Sequence, residues 1–220
     1  MINFLILFFV LLVLAYFVDY FLINSFLGSR YRLFVAPGVI VHESSHALAC
    51  LITGAKIVKI SFFSKDGGFV KHHKPIVPIV GPILISIAPL IVSIVLFYFL
   101  ARFLQLESSL NLNSSFTNLK SLFKTIDFTS WLNLLIIYVI LSIAVTMTPS
   151  KQDLVNMLVP LALVAVVIFL LIRFSSWNLT YFNSGFVELT PILNLTIFVL
   201  LVCLIISLVF YTLTKVLFKE

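Results

Sequence analysis

Long apolar runs constrain this chain more than any other feature. Several runs reach about 18 residues or more with few charges, which is the length a helix needs to cross the hydrocarbon core of a bilayer. Hydrophobic residues make up 62% of the 220 residues and charged residues only 10%. This composition excludes an ordinary soluble globular domain. The sequence therefore predicts an all-α polytopic membrane protein embedded in the lipid bilayer.

The apolar runs predict about six transmembrane helices. The expected spans are residues 2–26, 33–54, 76–104, 131–149, 152–173 and 192–217. The first run has no basic segment before it and no small-residue cleavage site, so we expect a retained helix instead of a signal peptide. Two longer polar connections are expected at residues 105–130 and 174–191.

One segment has the pattern of a β-hairpin. Residues 56–73, KIVKISFFSKDGGFVKHH, place β-branched and aromatic residues on both sides of Asp66-Gly67. This dipeptide favours a tight turn, because Asp and Gly tolerate positive φ values. The sequence predicts a small hairpin directly after the second helix, and a plain surface loop is the alternative.

The expected organisation has three parts. Residues 1–32 form an N-terminal transmembrane helix and loop, residues 33–173 form a membrane core that contains the hairpin, and residues 174–220 form a loop and a C-terminal helix. The net charge of +6 is interpreted as loop charge that sets orientation, with no nucleic-acid partner. With six spans, eight Lys and Arg residues fall on the hairpin side and six on the other, which favours a cytoplasmic hairpin and active-site side.

The second predicted helix carries the pattern H-E-x-x-H, from His42 to His46. Residues four apart share one face of a helix, so both imidazoles can bind one metal ion. Glu43 lies beside the first ligand, where it can act as the general base of a hydrolase without binding the metal. Ionisable side chains are costly inside a membrane and usually mark a functional site. Two imidazoles with a carboxylate and an open position suit Zn²⁺.

A catalytic zinc site needs a third protein ligand. The candidates in or near the spans are Asp19, Asp153, His72 and His73. Asp153 is favoured because the fourth helix is expected to end near it on the hairpin side, where Pro149 can turn the chain inward. Asp153 also fits the alternative role of N-cap of the fifth helix.

These motifs together resemble the site-2 protease family of intramembrane zinc metalloproteases. The resemblance lies in HESSHALA within a membrane helix, the hairpin after it, the Gly81-Pro82 step and the segment TPSKQDL around Asp153. It covers roughly residues 33–173. It implies that His42, His46 and Asp153 are zinc ligands and that Glu43 is the catalytic base.

Three functions are open at this point. The first is a zinc metalloendopeptidase that cleaves membrane-embedded or membrane-adjacent proteins or peptides. The second is a membrane zinc hydrolase of a lipidated or other substrate that does not span the membrane. The third is a membrane scaffold without activity that keeps the fold.

Overall fold

The computed structural model describes residues 2–64, 68–104, 127–147, 153, 155–156, 166 and 180–218. In chain order the elements are α1 (Ile2–Ile23), a 3-10 turn (Gly28–Arg30), α2 (Tyr31–Phe34), α3 (Ala36–Ile52), β1 (Ile57–Ser61), β2 (Phe69–His72), α4 (Val80–Phe103), α5 (Trp131–Thr146) and α6 (Thr180–Phe218). The described part of the chain is mainly helical with one small sheet, as predicted.

Among the residues that the structure describes, three helices are long and apolar enough to cross a membrane. They contain the spans Ile6–Ile23, Val80–Phe103 and Ile192–Leu217. A fourth span is present if the bent pair Gly28–Phe34 and Ala36–Ile52 counts as one. The apolar helix α5 has 16 residues and is shorter than a full span, and most of the predicted fifth helix, 152–173, lies outside the described residues. The expected number of about six spans is therefore not confirmed.

The second predicted helix is broken, and this corrects the expectation of a continuous helix over 33–54. The two helices on either side of Val35 meet at 90°. Val35 has φ −110° and ψ 33°, and Pro37 in the first turn of α3 has no N–H to continue a helical ladder. The Tyr138 hydroxyl donates to the carbonyl of Phe34 over 2.9 Å, and the Ser142 hydroxyl donates to that of Val35, also over 2.9 Å. The break is tolerated because protein groups satisfy the freed carbonyls.

Helices α3 and α5 approach closely at Gly38. The Gly38 N–H donates to the Ser142 hydroxyl oxygen over 2.7 Å. A Cβ atom on residue 38 would collide with the main-chain carbonyl of Ser142 and with the hydroxyl of Thr146. Glycine is therefore required here to bring α3, which carries the H-E-x-x-H motif, against α5.

Replacing Gly38 by alanine should destabilise the protein. Its Cβ would meet main-chain atoms that cannot rotate away, and overpacking of this kind costs typically about 1–3 kcal/mol. We expect a lower thermal midpoint for G38A in detergent, followed by circular dichroism. Ile40→Ala is the control, because Ile40 lies on the same helix with 43% of its surface exposed. Equal midpoints for G38A and the unmodified protein would contradict this packing.

The predicted β-hairpin is present as a two-stranded antiparallel sheet. Its register pairs Ile57 with His72, Lys59 with Lys71, and Ile60 with Val70, with a bulge between Ile57 and Lys59. The predicted turn at Asp66-Gly67 lies outside the described residues. Ile57 and Val70 pack against a buried cluster of α3 and α4, whereas the two lysines are exposed. In a regular strand, successive side chains point to opposite faces of the sheet. The bulge shifts this alternation in β1 by one residue, so the Ile57 side chain lies on the same face as Val70, towards α3 and α4.

Helices α1 and α6 form the largest packed layer of the described structure. The fully buried side chains of Leu11, Ala15, Val18 and Leu200 lie in this layer. α6 begins at Thr180, so the connection predicted at 174–191 is partly wrong. Asn, Ser and Gly in that stretch lower helix propensity by at most about 1 kcal/mol each, and the apolar helix that follows can sustain the extra turns. The connection at 105–130 lies outside the described residues up to residue 126.

Candidate metal centre

The H-E-x-x-H motif lies in the middle of α3 and forms a regular helical turn. The rings of His42 and His46 lie on the same face, with centroids 5.0 Å apart and planes at 74°. His46 is buried and His42 is partly buried. The helical spacing of the motif therefore aims both imidazoles at one point, as the sequence predicts.

Main-chain carbonyls of two other helices fix the orientation of both rings. The Nδ1–H of His42 donates to the carbonyl of Thr146 in α5 over 2.7 Å. The Nδ1–H of His46 donates to the carbonyl of Ile85 in α4 over 2.8 Å. Each ring then has its Nε2 lone pair available as a ligand. Such second hydrogen bonds are typical of metal-binding histidines, because they fix the tautomer and the ring orientation.

Asp153 completes a group of three possible ligands. Its Oδ2 lies 3.5 Å from Nε2 of His46. One ligand atom from each of His42, His46 and Asp153 lies within 4.8 Å of the other two. Asp153 is buried, with 8% of its surface exposed. Two imidazole nitrogens and one carboxylate oxygen, all converging on one point, fit the ligand set of a catalytic zinc ion with an open fourth position.

The other candidate ligands lie elsewhere. The Asp19 carboxylate accepts a hydrogen bond from the Tyr31 hydroxyl, which ties α1 to α2. His72 and His73 line a cavity of about 260 Å³. The Nδ1–H of His72 donates to the carbonyl of His73 over 2.8 Å. The alternative role of Asp153 as an N-cap involves neighbours outside the described residues. The structure thus brings Asp153 to the two histidines and places Asp19 in another contact.

The cavity lined by His72 and His73 adjoins the group formed by His42, His46 and Asp153. It is also lined by Ile85, whose carbonyl orients His46, by the buried Ser86, and by Asn156, three residues after Asp153. Polar groups of the hairpin end and of α4 therefore surround an opening beside the candidate centre. An opening with polar groups of this kind can admit water.

Glu43 lies beside the main chain of the hairpin. Its side chain is buried, with 7% of the residue exposed. A Cβ atom on Gly68 would lie 2.6 Å from Cγ and 2.7 Å from Cδ of Glu43, closer than real Cβ contacts. The hairpin begins at the end of α3 and returns along it, which is how Gly68 reaches the middle of the motif. Gly68 was not among the site residues predicted from the sequence, where the only signal was the second glycine of KDGG.

The comparison with protein families agrees with this geometry. Residues 5–116, just over half of the chain, match the model described as Peptidase M50B-like. The match includes the H-E-x-x-H motif and the hairpin and ends before Asp153. No curated protein and no solved structure matches the chain. The chain therefore belongs to the Peptidase M50B-like family, in agreement with its resemblance to the site-2 proteases.

Proposed function

We propose that this protein is an intramembrane zinc metalloprotease that hydrolyses peptide bonds of membrane-embedded or membrane-adjacent proteins. The observation that carries this proposal is the convergence of His42, His46 and Asp153, with both Nδ1 groups held by main-chain carbonyls. A group built only for packing between helices has no need to leave both Nε2 atoms beside a carboxylate. Membership of a metalloprotease family supports the same chemistry.

Each residue has a distinct role in the proposed reaction. His42, His46 and Asp153 would hold the zinc ion, which supplies the Lewis acidity that activates water and polarises the scissile carbonyl. Glu43 accepts the proton of the attacking water and then delivers it to the leaving amine. The buried position of Glu43 keeps competing bulk water away from its carboxylate.

The hairpin is the proposed contact for the substrate. A transmembrane substrate has its carbonyls bound within its own helix, so the cleaved segment must first become extended. The sheet has only two strands among the described residues, so an extended segment can pair with a free strand edge and regain backbone hydrogen bonds. Gly68 beside Glu43 brings this sheet next to the proposed base. The side of the membrane on which the hairpin lies stays a prediction from the lysine and arginine distribution.

Zinc content per chain tests the proposal directly. We expect one zinc ion in the detergent-purified protein by inductively coupled plasma mass spectrometry. His46→Ala and Asp153→Ala should each weaken zinc binding by about 10- to 100-fold, because each removes one of the three protein ligands that a catalytic zinc site needs. Asp19→Ala is the matched control and should retain zinc, because Asp19 contacts Tyr31 instead.

Two results would contradict this assignment. No zinc in the unmodified protein, even after zinc is added back, would mean that the three side chains serve helix packing. Zinc that is lost in the His46 variant and retained in the Asp153 variant would place the third ligand elsewhere. The circular dichroism spectrum of each variant distinguishes loss of a ligand from loss of the fold.

A further inference from the structure

A second cavity lies between the broken span and the hairpin. We call residues 28–35, around the 90° break, the elbow. The cavity has a volume of about 520 Å³, and we call it the elbow pocket. One side of the pocket is lined by the elbow residues Ser29, Arg30, Arg32 and Leu33. The other side is lined by the residues that follow β1, namely Phe62, Phe63 and Ser64. None of these seven described residues is acidic, so the lining carries positive charge only.

The polar part of the pocket matches an anion with several oxygen atoms. Two guanidinium groups and two serine hydroxyls can donate hydrogen bonds, and guanidinium groups bind phosphate oxygens in pairs. Within the described part of the chain, the Arg30 side chain has no hydrogen-bond or ion-pair partner. The Arg32 guanidinium lies 5.8 Å from the centre of the Tyr31 ring, which holds it in place. One arginine is therefore fixed and the other is available to close over a ligand.

The apolar part of the pocket places it at the surface of the bilayer. The first span ends at Ile23 and the elbow follows directly, so the elbow lies at a membrane boundary. Leu33 and Phe34 expose 61% and 66% of their surface. Such side chains are stable in the hydrocarbon, while Arg32 on the same short helix and Arg30 in the preceding 3-10 turn extend to the headgroups. Leu33, Phe62 and Phe63 then give the pocket an apolar wall beside its cationic groups.

We propose that the elbow pocket binds the phosphate headgroup of an anionic phospholipid. Charge complementarity favours this ligand, because the pocket offers cations and hydroxyls and no described carboxylate. The position at the membrane boundary favours a lipid over an acidic peptide, because the exposed Leu33 and Phe34 lie where acyl chains are. The proposal does not depend on the proposed protease activity.

Binding in this pocket has a structural consequence. The headgroup contacts both the elbow and residues 62–64, which follow β1. The same hairpin places Gly68 against Glu43. A bound lipid therefore links the elbow to the hairpin and restrains the hairpin beside the candidate metal centre.

Native mass spectrometry of the full-length protein tests lipid binding. The probes are phosphatidylglycerol and phosphatidylcholine, added at equal concentration to the protein in detergent. We expect one phosphatidylglycerol molecule to be retained with at least tenfold preference over phosphatidylcholine. Arg30→Gln/Arg32→Gln should remove this preference. Lys59→Gln/Lys71→Gln is the matched control, because it removes the same charge from an exposed sheet face outside the pocket and should keep the preference.

Hydrogen exchange in nanodiscs gives a readout of the link to the hairpin. Amides of residues 57–64 should exchange more slowly in discs that contain phosphatidylglycerol than in phosphatidylcholine discs. The double arginine variant should show no difference between the two. If that variant does not fold, Arg30→Gln alone, at an exposed position, replaces it.

Three results would overturn the proposal. Equal retention of the two lipids by the unmodified protein would exclude a headgroup site. An unchanged preference in the arginine variant would place the lipid elsewhere. Displacement of phosphatidylglycerol by a soluble glutamate-rich peptide, with loss of this displacement in the arginine variant, would assign the pocket to acidic peptides.

Discussion

Replacing Glu43 by glutamine is expected to reduce peptide hydrolysis to a small residual rate and to leave zinc binding unchanged. Glutamine has nearly the same shape as glutamate but cannot accept the proton of the attacking water. Loss of a general base lowers the rate by about 10²–10⁴-fold. The measurement is cleavage of a model transmembrane peptide in detergent, with zinc content determined on the same sample. Zinc should be retained because Glu43 is not one of the three grouped ligands.

Two further variants separate the role of a general base from that of a metal ligand. Glu43→Asp keeps a carboxylate and withdraws it by one methylene, so its rate should lie between those of the unmodified protein and E43Q. His46→Ala should lose both zinc and activity, which separates the role of a ligand from that of the base. Full activity in E43Q would end the assignment of Glu43 as the base. Loss of zinc in E43Q would instead indicate that Glu43 supports the metal site.

Replacing Gly68 by alanine should lower the rate of hydrolysis without unfolding the protein. The new Cβ would overlap with the Glu43 side chain, which is flexible and can move aside. The carboxylate would then be displaced by about 1 Å, and such a shift of a catalytic group can cost on the order of 10²-fold in rate. We expect a lower kcat at unchanged zinc content and an unchanged thermal midpoint. This pattern differs from that of G38A, in which main-chain atoms obstruct the Cβ and stability falls.

Val58→Ala is the control for Gly68→Ala. Val58 lies in β1 of the same hairpin with 62% of its surface exposed, so its replacement should leave the rate of hydrolysis unchanged. The combination of Gly68→Ala with Glu43→Gln gives a second check. If alanine acts by displacing the Glu43 carboxylate, it should lower the residual rate of E43Q by much less than 10²-fold. Equal effects in both backgrounds would show that Gly68 acts through another group, such as the substrate.

Local patterns predicted those features that depend on neighbours along the chain. The H-E-x-x-H spacing places His42 and His46 on one helical face, because residues four apart share a face in any α-helix. The hairpin was predicted from β-branched residues around a turn dipeptide, and its strands are present. Apolar runs indicated membrane helices, since hydrocarbon admits only segments whose backbone groups are satisfied. The family was predicted from the same motifs and is confirmed by the family match.

The predicted number of about six spans is not confirmed, because most of the predicted fifth helix lies outside the described residues. An apolar run shows that a segment avoids water, but not whether it crosses the bilayer, stops short or bends. α5 is apolar yet only 16 residues long, and the run around Val35 bends by 90°. Pro37 was visible in the sequence, but the bend also needs Tyr138 and Ser142 to bind the freed carbonyls. These partners come from a helix about 100 residues further along the chain.

The sequence by itself determined the membrane class, the candidate metal-binding pair of histidines, the hairpin and the family, because each is encoded in a short stretch of neighbouring residues. Only the tertiary structure decided the contacts that complete the candidate centre. Thr146 and Ile85 orient the two imidazoles through main-chain carbonyls, which any residue type supplies and which no sequence pattern marks. Asp153, which the sequence favoured among four candidates, and Gly68, which it did not mark, reach the motif through contacts between segments far apart in the chain. Packing between distant segments sets distances in space, and spacing along the chain does not.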